Sequence, residues 1–95
     1  MSFQLSMGEI KSVGNQVALT GNGDYRIETT GEWDGVLLLQ KSIDGGHTWL
    51  TKRAVISKND RNVVIVNSEL SKCQLRVIAS EWRGGSCDVV MQFTE

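Results

Sequence analysis

Three stretches of this chain alternate apolar and polar side chains with a period of two, and that pattern restricts the chain to sheet. In residues 24–30, Tyr25, Ile27 and Thr29 share one face while Arg26, Glu28 and Thr30 share the other. Cys73, Leu75, Val77 and Ala79 form a second inward stripe, with Gln74, Arg76 and Ser80 opposite; Cys87, Val89, Met91 and Phe93 form a third. Such alternation marks strands with one wet face. Residues 36–39 and 63–66 are apolar in both phases and read as central strands, and residues 3–7 and 16–20 supply two more. The chain has no proline, so Gly, Asn, Asp and Ser must build the turns. Turn clusters fall at Gly21-Asn22-Gly23-Asp24, Asp34-Gly35, Asp44-Gly45-Gly46, Lys58-Asn59-Asp60 and Arg83-Gly84-Gly85-Ser86.

About eight short strands punctuated by turns predict one all-β domain over residues 1–95, an antiparallel β-sandwich of jelly-roll or immunoglobulin-like order. Two hairpin tips are expected, one joining residues 36–41 to 47–53 and one joining 73–80 to 87–94. A helical turn is hinted at only over residues 67–72. Arg26-Ile27 leads to Glu32-Trp33-Asp34-Gly35 much as Arg76-Val77 leads to Glu81-Trp82-Arg83-Gly84, an echo that two similar hairpins would explain. With hydrophobic residues at 40% and charged residues at 22%, the chain has the balance of a folded domain. A formal net charge of −1 without a long like-charged run points to neither nucleic acid nor an anionic membrane. The start, MSFQLSMGEIK, reads as no signal peptide, and the apolar run at 36–39 is far too short for a membrane span. Cys73 and Cys87 are expected as reduced, buried thiols: closing the 73–80/87–94 hairpin sets Cys87 opposite Ala79 or Ser80, beyond disulfide reach of Cys73.

The sharpest local pattern is Ser42-Ile43-Asp44-Gly45-Gly46-His47-Thr48-Trp49, which resembles the Asp-box, Ser-x-Asp-x-Gly-x-Thr-Trp, of sialidase-like propellers. Its logic is local. The Asp44 carboxylate accepts turn amides, Gly46 supplies positive φ, Ser42 braces the turn, and Trp49 covers the hairpin base as a core residue. A hydrolase built on Ser42, His47 and Asp44 is disfavoured, because a tight hairpin does not set out nucleophile, base and orienter. One His, two separated Cys and isolated carboxylates lack metal-ligand spacing, and Gly21-x-Gly23 lacks the third glycine of a dinucleotide loop. No catalytic residue, cofactor site or metal site is therefore expected. Trp33 and Trp82 sit beside glycine turns, where tryptophan either plugs the end of a thin sandwich or contacts a ligand.

The stretch Thr30-Gly31-Glu32-Trp33-Asp34-Gly35-Val36-Leu37-Leu38-Leu39-Gln40-Lys41-Ser42-Ile43-Asp44-Gly45-Gly46-His47-Thr48-Trp49, followed by Gln74-Leu75-Arg76-Val77, resembles a pattern of small phage virion proteins. The likeness runs from Gly21 to Phe93. It implies a structural role without enzymatic activity, as a capsid decoration, head-fibre or tail-associated module. It also implies symmetric homo-oligomers, trimers favoured, bound to the major capsid protein or other virion proteins after synthesis in the host cytoplasm. Phe3, Leu5 and Met7 alternate near the N-terminus and are the expected partner-contact strand, along with Trp33 and Trp82. The alternative is a host-attachment or other carbohydrate-binding module whose Trp33 and Trp82 face a glycan.

Overall fold

The computed structural model describes residues 3–57 and 62–94. It is all-β, with six strands: β1 (Phe3–Ile10), β2 (Gln16–Thr30), β3 (Trp33–Ser42), β4 (Leu50–Ile56), β5 (Val63–Gly85) and β6 (Cys87–Thr94). They form one antiparallel sheet in the order β1-β6-β2-β5-β3-β4. The turn expected at Lys58-Asn59-Asp60 and the side chain of Phe3 lie outside the described residues.

Six strands stand where eight were expected, because residues 21–24 and 67–72 continue β2 and β5 where breaks were expected. Gly21-Asn22-Gly23-Asp24 does not end a strand. It is a bulge within β2, where Gly21 pairs with Cys73 and Gly23 with Glu69. Asn22 thus faces three residues of β5, Leu70, Ser71 and Lys72, and a mismatch of that kind bends a strand without ending it. Gly21 fits there for a packing reason: a Cβ on it would lie 2.7 Å from the Phe93 ring. The hinted helical turn at residues 67–72 is likewise strand, the far side of the same bend. Asp34-Gly35 falls inside β3.

The expected hairpin between residues 36–41 and 47–53 is present as the β3–β4 pair, with β4 starting at Leu50. The other expected hairpin is not. Cys87–Thr94 pairs with β1 and β2, and β5 pairs with β2 and β3. Gly85, at φ +83°, turns the chain away there, and the Ser86 amide donates to the Glu32 carbonyl at 3.0 Å.

β2 and β5 are long enough to change partners along their length. The later part of β2 lies between β5 and β6, and the later part of β5 lies partly between β2 and β3. The inward stripes read from the sequence are buried: Tyr25, Ile27 and Thr29; Cys73, Leu75, Val77 and Ala79; Cys87, Val89, Met91 and Phe93. Among the described residues the apolar ones join Ile10, Val17, Trp33, Leu37, Leu39, Val55 and Val63 in one cluster. Burial to a few per cent without a helix requires the sheet to cover its own inner face. Gly8 of β1 meets Val17 of β2 in this way, its added Cβ falling 2.7 Å from the Val17 methyl. Residues 63–66 are not central, however. Val63 is buried, while Val64 and Val66 are exposed, because this part of β5 has β2 as its neighbour on one side.

Cys73 and Cys87 are free and buried. Burial pushes both thiols up, Cys87 to about 11. A raised folded pKa means that stability held below pH 9.0 is lost as pH climbs from there towards 11. We expect both thiols to resist a disulfide reagent in the native protein at pH 8, and to react at once in guanidinium. Rapid native-state labelling of either would contradict their placement.

Candidate functional site

The expected structural turn forms as the residues dictate. Ser42 ends β3 with its hydroxyl donating to Asp44 Oδ1 at 2.8 Å and accepting from the Gly46 amide at 2.9 Å. Asp44 Oδ1 also accepts from the Thr48 amide at 2.9 Å, and its Oδ2 from the Thr48 hydroxyl at 2.5 Å. Those hydrogen bonds, led by the Thr48 hydroxyl, hold the Asp44 carboxyl far below the usual range. Gly45 and Gly46 take φ of +76° and +94°. The Ser42 hydroxyl is directed at Asp44 and not at His47, which is exposed. Asp44→Ala is expected to leave the fold intact and to raise the exchange rate of the Thr48 amide. Unchanged exchange would mean that the carboxylate does not organise the turn.

Trp49 is not the core residue expected of it. It is half-buried on the outside of the hairpin, where its Nε1 donates to the Gly46 carbonyl at 3.1 Å and the Arg76 guanidinium lies 3.9 Å from its ring centroid. Arg76 is steered there by its Nε–H, which donates to Gln40 Oε1 at 2.9 Å. Exposed Ile43 and Leu50 flank this hairpin.

Trp33 and Trp82 come together. Their rings stack 5.7 Å apart at an interplanar angle of 4°, with Trp33 buried in the core and Trp82 half-buried. The register explains the fit, since Trp33 pairs with Gly85 and Gly35 with Trp82, each indole opposite a residue without a side chain. The echo in the sequence is thus one packed pair across β3 and β5. A buried Trp33 cannot offer its face to a sugar. Beside the pair, Asp34 accepts from Ser57 Oγ at 2.9 Å and from Arg83 at 2.8 Å.

Sequence reasoning missed a charged cluster at the β2–β5 bend. Glu69, 8% exposed, accepts from Lys41 of β3 through Oε1 and from Lys52 of β4 through Oε2. Lys52 also donates to the Tyr25 hydroxyl at 3.1 Å. Burial raises the Glu69 pKa, but the two lysine hydrogen bonds outweigh it and hold the carboxyl below its ordinary value. A carboxylate so paired is a weak base and a strong clamp, tying four strands together. The one signal in the sequence is that Glu69 keeps the phase of inward Val63 and Ile65.

Among the expected contact residues, Leu5 and Met7 point outward from β1, 47% and 68% exposed, next to an edge that no strand of the described residues covers. The two sheet edges differ. β4 carries Lys52 and Arg53, the kind of charge that discourages strand addition, whereas Glu9 is the one charged residue in β1. Among the described residues no group of three or more His, Cys, Asp and Glu is placed to hold a metal, and no helix is long and apolar enough to cross a membrane. In comparisons with known proteins, no family model, no curated protein and no solved structure matches the chain.

Proposed function

We propose that this chain is a structural component of a phage virion, a compact β-sandwich module without catalytic activity that decorates the assembled capsid. The two halves of the curled sheet, β1-β6-β2-β5 and β2-β5-β3-β4, are the layers of that sandwich. The observation that carries the reading is the β1 edge, which among the described residues is paired on one side only, carries Leu5 and Met7, and lacks the lysine or arginine that guards β4. A strand left open in this way suits addition of a neighbour's strand in an assembly, with the major capsid protein as the partner. Tail attachment uses the same edge and differs in where the module ends up.

The test is gradient fractionation of a phage lysate containing the chain, followed by antibody detection across the fractions. Banding with DNA-filled heads is the expected result, and Leu5→Lys with Met7→Lys should move the chain to the free-protein fractions. A wild-type chain that remains free throughout refutes the reading. Banding with tails assigns the chain to the tail. Quenching of tryptophan fluorescence by a glycan panel would favour the carbohydrate-binding alternative, for which Trp82 is the more accessible of the two expected indoles.

A further inference from the structure

β1, β6, β2 and the first part of β5 present one continuous outward face, and the strand registers fix its rows. Leu5 lies beside Gln92, Gln92 beside Arg26, and Arg26 beside Val66. Two positions along, Met7 lies beside Val90, Val90 beside Glu28, and Glu28 beside Val64. All eight residues occupy the phase opposite the core stripes. The margins are apolar and open, with Met7 68%, Leu5 47%, Val66 67% and Val64 45% exposed. Between them stand one cation and one anion, Arg26 and Glu28, and among the described residues neither has an ion-pair partner.

We propose that this face packs against the same face of a second copy of the chain, about a two-fold axis running across the strands between the Leu5 and Met7 rows. Such a rotation lays each row on the other. Arg26 then meets Glu28 of the second copy and Glu28 meets its Arg26, while Leu5 meets Met7 and Val66 meets Val64. A two-fold axis along the strands instead sets Arg26 on Gln92 and Glu28 on Val90, leaving both charges unpaired on desolvation. Electrostatic fit therefore selects the first axis. Four strands about 4.8 Å apart and seven residues long at about 3.4 Å rise give a face of roughly 450 Å² per copy, its outer rows setting Asp24 against Thr30 and Asp88 against Thr94 of the second copy, and that is the size of a weak, reversible contact. Many copies held on one shell would strengthen it through effective concentration. The inference deepens the assembly reading, resting on it for β1 as a contact strand, and names the partner of the outward face.

Sedimentation equilibrium of the free protein over a concentration series tests it. The wild type is expected to move reversibly from one chain to two. Arg26→Glu and Glu28→Arg should each weaken association roughly tenfold or more, with unchanged melting curves. Mixing these two variants should restore it, because one copy then carries two acids and the other two bases on facing positions. A mass of one chain at every concentration overturns the proposal, as does association indifferent to both swaps or not restored by mixing. The readout is the free protein, so it fails or succeeds separately from the banding experiment on phage particles.

Discussion

Gly85→Ala is expected to cost about 3–5 kcal/mol and to lower the melting temperature by roughly 20 °C. Gly85 sits at φ +83°, a backbone conformation that a Cβ disfavours. Sterics add to this, since a Cβ there would stand 2.2 Å from the Glu32 carbonyl oxygen and 2.8 Å from the Trp33 Cα. Both obstacles are backbone, so no rotamer change relieves the clash. To fit, β5 must separate from the start of β3, which pulls apart the Trp33–Trp82 stack. Gly84 is the natural control: it lacks a positive φ and nothing lies within 4 Å of its added Cβ, so Gly84→Ala should melt near the wild type. Equal melting of the two variants would show that the corner is not built as described.

Glu69→Gln should destabilise the protein by about 2–3 kcal/mol at neutral pH, below the full cost of breaking a buried ion pair because both lysines retain some solvent. The amide keeps the shape but leaves Lys41 and Lys52 facing each other without a counter-charge. The pH dependence has a definite sign. Glu69 has a folded pKa below the ordinary 4.5, so its contribution is present above that pH and is lost as pH falls through the lowered folded value. Denaturant melts at pH 7 and pH 3 should therefore show a wider gap between wild type and Glu69→Gln at the first than at the second. A gap that does not narrow in acid would mean that the carboxylate is not what the lysines hold.

Sheet class and the inward stripes were legible because period-two alternation reports directly on which side of a strand is dry. Tyr25, Val77 and Met91 could be assigned to the core from their neighbours alone. Strand ends were less legible, since glycine and asparagine mark a bulge as readily as a turn. What decided the matter at Gly21 was Phe93, a residue remote in sequence. Arg83-Gly84-Gly85-Ser86 was misread for a similar reason: its glycines answer to Glu32 and Trp33 and not to a tight turn. The Asp-box-like hairpin was readable in the turn amide that donates to Asp44, because that contact is local. Its tryptophan was not, because Arg76 receives Trp49 on the outside while Trp33 takes the interior. Glu69 was hidden altogether, as its two lysines come from strands that only the register brings near.

The two long strands also govern how the chain acquires its shape. Gln16 pairs with Ile78 and Phe3 with Thr94, so the defining contacts close loops spanning most of the chain. Sheets dominated by such distant pairings fold slowly, over milliseconds to seconds, because the loop entropy is lost before the contacts form. Both parts of the sheet depend on β2 and β5, which change partners along their length. Until β1 docks, β6 exposes a bare edge bearing Val90 and Met91 on its two faces. During synthesis β6 emerges after the other five strands, and β1 must stay unpaired until it does. Overproduction would favour cross-pairing between nascent chains at that edge, and slower expression at low temperature should raise the soluble yield.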